Sequence, residues 1–291
     1  MRAAHFLAQA HIAFLCGFAA AVVSAQPPFG GGGPQNPLIR QGMQLDVEGK
    51  SADARNVFQK AIDSAPTPAA KANAQRAMAM SWAFDGDCRK TAEYENLVID
   101  YWKTQEKDSP ENAFYQQGEM ADEAARVCID HGDLDTANAL YKKGHELGLR
   151  EPNISPGRKA LWDYRWEHAQ ARIAARRGNK AEAARYVASA KATLGEMKEK
   201  DAQLYEQQAR FLPYLTGYVA LYTGDYKAAL EDLEKTSQND GFIQCLIGMT
   251  YEKLGEKAKA MEAYRNAAET RGHNPPAAFA IPFAKKKLSE G

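Results

Sequence analysis

One residue frame recurs six times along this chain, and it restricts the possible folds more than any other feature. Around Gly49, Gly42 and Leu45 stand seven and four residues before, while Ala54, Phe58 and Ala61 stand five, nine and twelve residues after, with Pro66 closing the unit. Gly255 carries the same frame, with Gly248 and Tyr251 before it and Ala260, Tyr264 and Ala267 after it. Gly132 carries Ala125, Cys128, Ala137, Tyr141 and Gly144; Gly178 carries Ala171, Ala174, Ala183, Val187 and Ala190. Gly224 carries Gly217, Ala220, Ala229, Leu233 and Thr236. Gly86 fits least well, with Ala79 and Trp82 before it and Thr91, Glu95 and Val98 after it.

Each feature has a physical reason. Small residues on both sides of the turn let two helices cross closely, and large apolar residues fill the space beside the crossing. The central Gly supplies the positive φ that a tight helix C-terminus requires. Asp87, Asp133 and Asp225 follow their Gly directly and Ser51 follows by two, which suits capping of a second helix. Pro66, Pro110 and Pro152 punctuate the exits from those second helices. No β-branched alternating run of strand length occurs, so the chain is read as all-α.

The pattern resembles the tetratricopeptide repeat, a helix–turn–helix unit of about 34 residues. The resemblance covers residues 36 to about 272 and implies a right-handed α-α superhelix, a solenoid of about six repeats spanning 38–272. Repeat bounds fall at about 36–66, 69–105, 111–148, 157–196, 202–238 and 240–272. Successive turn glycines are 37, 46, 46, 46 and 31 residues apart, so the middle repeats need longer helices or extra loop, for which TQEKDSPEN and GLREPNISPG are candidates. Residues 273–291 are expected to form a C-terminal capping helix with a polar outer face, kinked or shortened at Pro282.

The N-terminus reads as an address. Residues 1–25 place one Arg before an uncharged stretch, an apolar run of 12 residues from Ile12 to Val23, and Val23-Ser24-Ala25 ahead of Gln26. That is the pattern of a cleaved signal peptide, and the run is short of the roughly 20 residues that span a bilayer. Lipidation at Cys16 fits less well, because Ala13 and Leu15 reverse the sizes a lipobox needs. The expected location is periplasmic or secreted. Residues 26–37, QPPFGGGGPQNP, read as a flexible tether. Lys plus Arg and Asp plus Glu both number 37, so no global field draws the chain to nucleic acid. Cleavage would leave Cys88, Cys128 and Cys245. Stacked antiparallel helices would bring Cys88 near Cys128, either as a disulfide or as two small buried residues.

Catalytic chemistry is mostly absent. The histidines outside the leader, His131, His145, His168 and His273, stand in no HExxH and at no metal-ligand spacing. No GxSxG elbow or CxxC occurs, and the Gly30–Gly33 cluster follows no strand. Neither an enzyme, a cofactor nor a metal is expected.

In proteins of the resembled family, the first helix of each repeat lines a concave groove. Positions 13, 10, 6 and 2 before the turn Gly share one helical face. They give Glu119, Asp122, Arg126 and Asp130; then Arg165, His168, Arg172 and Arg176; then Phe211, Tyr214, Tyr218 and Tyr222; and finally Phe242, Cys245, Met249 and Lys253. Acidic, basic and aromatic strips thus lie side by side. Glu119 and Asp122 could pair with Arg165 and Arg172, and a Tyr stripe could be wall. Leu212, Leu215 and Val219 offer a separate packing face on the aromatic helix, however, leaving its aromatics for a surface. The candidate binding residues are therefore Arg165, His168, Arg172, Arg176, Phe211, Tyr214, Tyr218, Tyr222, Phe242 and Met249. The Lys and Asn set with which that family clamps peptide C-termini is not found. The expected function is an exported scaffold binding a protein or peptide partner; the alternative is a binder of a small ligand such as a glycan or peptidoglycan fragment.

Overall fold

The computed structural model describes residues 36–290, so the leader 1–25 and nearly all of the tether lie outside the described residues. These residues fold into fourteen helices with no strand among them. Six pairs follow one another: α1 (Pro37–Glu48) with α2 (Ser51–Asp63), α3 (Pro68–Phe84) with α4 (Cys88–Thr104), and α5 (Pro110–Asp130) with α6 (Leu134–Gly148). Then come α7 (Pro156–Arg176) with α8 (Lys180–Lys200), α10 (Leu212–Thr223) with α11 (Tyr226–Leu233), and α12 (Gly241–Lys253) with α13 (Lys257–Glu269). A short α9 (Ala202–Ala209) precedes α10, and α14 (Pro275–Glu290) ends the chain. No helix among the described residues is long and apolar enough to cross a membrane.

The glycine frame works as its chemistry requires. All six turn glycines adopt positive φ, between 73° at Gly86 and 92° at Gly224. Side chains of Asp87, Asp133, Asn179 and Asp225 accept from backbone N–H groups of the helix that follows, contributing about 1 kcal/mol each. Ser51 departs from expectation: it opens α2 instead of capping it, and Lys50 in the cap position makes no side-chain capping bond. The small residue seven before the turn seats the large one nine after it. A Cβ on Gly42 would come within 2.4 Å of the Phe58 ring, and one on Gly248 within 2.5 Å of Tyr264. The close helix crossing is therefore built into the first, fifth and sixth repeats, where Gly217 likewise leaves room for Leu233.

The long glycine steps have two sources. Helices α5 and α7 each run 21 residues, and the third long step holds the 21-residue α8 plus α9. Between neighbouring repeats, Cys88 at the start of α4 and Cys128 in α5 are joined by a disulfide with a Cα–Cα distance of 4.8 Å. Closing the 40-residue loop would contribute about 4 kcal/mol in the loop-entropy view. Cys245 stays free and buried.

The C-terminal helix does more than cap. It packs on α12 and α13 and also reaches back to α3 and α5. Ala277, Ala278, Ala280, Ile281 and Ala284 are buried along it, a stripe of mostly small side chains that permits close approach. Ala83, Phe84 and Val127 receive Ala278 and Ile281. Just before α14, His273 Nε2 lies 2.8 Å from Asp46 Oδ2, and Ser81 donates to the other oxygen of the same carboxylate. Lys285 Nζ donates to the Val47 carbonyl. Helix α14 runs through Pro282 and is not shortened by it.

Candidate functional site

Helix α14 covers one part of the face formed by the first helices and leaves a cavity of about 290 Å³ beside it. Glu119, Asp122, Glu123 and Arg126 of α5 form one wall, and Tyr164, Arg165, His168 and Arg172 of α7 another. Tyr141 of α6 lies at its side, Gln208, Phe211 and Tyr214 close it from the next repeat, and Pro275 and Pro276 of α14 border it.

Two carboxylates are already engaged. Glu119 pairs with Arg165, which also donates to the Tyr115 hydroxyl, and Glu123 pairs with Arg76 of α3. Arg172 is different. It is 4% exposed, yet it makes no ion pair with a carboxylate among the described residues; its two terminal nitrogens donate to the hydroxyls of Tyr214 at 3.1 Å and Tyr141 at 2.7 Å. Arg126 lies over the Phe242 ring at 4.6 Å, and its Nε is 3.8 Å from Asp130 Oδ2. Burial pushes the Asp122 carboxyl up to about 8, with Arg165 opposing the rise, and pushes Asp130 up to about 6 against the pull of Arg126. His168 is held well below the usual imidazole range by burial and by Arg172 and Arg126, so it is neutral at pH 7. The site therefore carries an excess of fixed positive charge.

The structure brings Arg165, His168, Arg172, Phe211 and Tyr214 together around the cavity. Arg176, Tyr218 and Tyr222 form a neighbouring cluster, with the Arg176 guanidinium donating to the Tyr222 hydroxyl and the two Tyr rings 4.6 Å apart. Phe242 faces Phe279 of α14 at 5.4 Å, and Met249 packs beside it. The expectation of an exposed aromatic stripe is corrected. Tyr218 is 0%, Phe242 2% and Tyr214 6% exposed, and only Phe211, at 42%, is open. Arginines of α7 and the rings of α14 cover the others, because flat rings beside guanidinium groups pack face-on and exclude water. Among the described residues, no group of three or more His, Cys, Asp or Glu is placed to hold a metal ion.

Sequence reasoning missed several lining residues. Tyr141 occupies the frame position that in the first and fifth repeats holds the core residues Phe58 and Leu233, and that repeat role masks its hydroxyl, which meets Arg172. Tyr164 falls one residue outside the face chosen on α7. Nothing periodic marks Gln208, Pro275 or Pro276.

These observations define the class: an all-α solenoid of helix–turn–helix repeats whose first-helix face holds a charged, aromatic-lined cavity. Residues 243–274 match the family model described as tetratricopeptide repeat. The same turn geometry recurs in all six helix pairs. Among solved structures it is similar to a tetratricopeptide repeat protein from Parabacteroides merdae, at 16% identity, covering 86% of this chain and 97% of that one with a TM-score of 0.37. It is also similar to the TPR domain of P58(IPK), at 12% identity over 87% of this chain and 79% of that one with a TM-score of 0.26. No curated protein matches the sequence.

Proposed function

We propose that this chain is an exported, non-catalytic interaction protein that recognises a segment of a protein partner at the first-helix face. The fold class is in general an interaction scaffold, since stacked helix pairs present a continuous binding wall. One observation carries the placement: the cavity beside α14, where Phe211 is exposed and Arg126 and Arg172 line the wall. Tyr and Arg are the residue types enriched in binding hot spots. Export is supported by the leader pattern in residues 1–25 and by the Cys88–Cys128 disulfide, a bond that persists in oxidising compartments.

The test is crosslinking of the full chain in an envelope extract, beside a Phe211→Ala, Gln208→Ala variant. Both positions lie at the cavity rim, so the variant should keep its circular dichroism and melting temperature. A protein retained by the native chain and lost with the variant supports the reading; equal retention sinks it. Export is checked separately, by N-terminal sequencing of the native protein, with Gln26 expected as the first residue.

A second reading is favoured by the size of the cavity. Pro275, Pro276 and Phe211 border it, and its volume is at the small end of the ~300–1,000 Å³ range of ligand pockets. A small molecule fits that space better than an extended strand of peptide.

A further inference from the structure

The cavity holds more hydrogen-bond donors than acceptors. Arg172 is 96% buried by its 4% exposure, its terminal nitrogens serve two tyrosine hydroxyls, and its Nε has no hydrogen-bond partner. Arg126 Nε likewise has no hydrogen-bond partner, with Asp130 Oδ2 at 3.8 Å. Tyr164 is 2% exposed and its hydroxyl is also unpartnered. A buried donor left without a partner carries its full desolvation cost, and all three residues line one space. Of the three carboxyls on the wall, Glu119 is held by Arg165 and Glu123 by Arg76, and Asp122 makes no ion pair with Arg126 or Arg172. A negatively charged acceptor would satisfy these groups and neutralise Arg172, which no carboxylate pairs among the described residues. Beside them, Tyr214 and Phe211 present ring surface for an apolar body.

We infer that this cavity binds a small organic acid, its carboxylate received by Arg126 and Arg172 and its ring against Tyr164, Tyr214 and Phe211. The inference rests on the small-ligand reading of the site. Its size argument is the border formed by Pro275 and Pro276, which the His273–Asp46 contact ties to the first repeat.

The probes are benzoate and its neutral isostere benzamide, titrated into the full chain by ligand-observed NMR and calorimetry. Benzoate should saturate at least about tenfold more tightly than benzamide, since the charge-assisted bonds are lost in the amide. Arg126→Gln should weaken benzoate by about tenfold, the loss of one charged contact. Tyr164→Phe should weaken it about threefold and leave the melting temperature unchanged or raised, because the deleted hydroxyl has no partner in the free protein. Equal binding of benzoate and benzamide, benzoate binding indifferent to Arg126→Gln, or no saturation by about 20 mM would each overturn the inference. These failures leave partner capture untouched. Conversely, capture indifferent to Phe211→Ala, Gln208→Ala removes the protein reading and not this one.

Discussion

The first-helix face is filled in two ways. Against α3 and part of α5, α14 inserts Ala277, Ala278 and Ile281, which meet Ala83, Phe84 and Val127 in a dry apolar seam. Against α5 and α7, where α14 only begins, the face keeps arginines, tyrosines and a neutral histidine around open space. The apolar part includes a polar anchor that is well satisfied: Asp46 accepts from Ser81 and meets His273. The open part contains buried donors that are not. One face thus holds both a closed apolar seam and an open polar cavity. The difference lies in whether each buried polar group has found its partner inside the chain.

Substitutions on the two parts should therefore respond in opposite senses. The largest effect is expected from Ile281→Asp, which puts a charge in the seam at 1% exposure; a loss of about 3–5 kcal/mol in urea unfolding is expected. A loss below 1 kcal/mol would mean that α14 is not bound there in solution. Asp46→Ala comes next, at about 2–4 kcal/mol, because it leaves Ser81 and His273 without their buried acceptor. Should both mutations be silent, the comparison itself fails.

On the open part, Asp122→Asn should stabilise the protein at pH 7 by about 1–2 kcal/mol. The carboxyl faces Glu119, Glu123 and Arg126 on its own helix, Tyr141 on α6, and Arg165 and Arg172 on α7. Below the ordinary aspartate value it is protonated in both folded and unfolded chains and has no effect. From there to about 8 only the unfolded chain ionises, so the native protein loses stability as pH rises. The benefit of the Asn variant should accordingly vanish below about pH 4, measured as melting temperature across pH. A benefit that grew toward low pH would have the wrong sign. Arg172→Met is expected to have the smallest effect, within about 1 kcal/mol of neutral, since relief of an unpaired buried charge offsets two lost bonds to tyrosine hydroxyls. A loss near that of Asp46→Ala would show that Arg172 is structural cement and erase the contrast.

Much of the fold was legible because its causes are local. Gly49 and Gly255 mark turns through a φ that other residues avoid, and Gly42 predicts Phe58 because the two meet within one helix pair. The site was legible in part. Helical offsets from Gly178 put Arg165, His168 and Arg172 on one face, and they do share one cavity. Those offsets cannot say what lies opposite. Glu119 takes Arg165, as charge pairing allows, whereas Arg172 turns to Tyr141 and Tyr214 instead of Asp122. Tyr218 is buried, with Arg172 of α7 over its ring at 5.9 Å, a contact that the spacing of its own helix does not reveal.

By itself, the sequence determined the helix pairs, their turns and the residue types on each face, since these depend on neighbours within about one repeat. Only the tertiary structure decided that the last helix lies against the first-helix face and that a cavity survives beside it. Those outcomes turn on contacts such as His273 with Asp46, 227 residues apart. No local periodicity encodes such a contact, because it is fixed by the small rotations of every repeat in between.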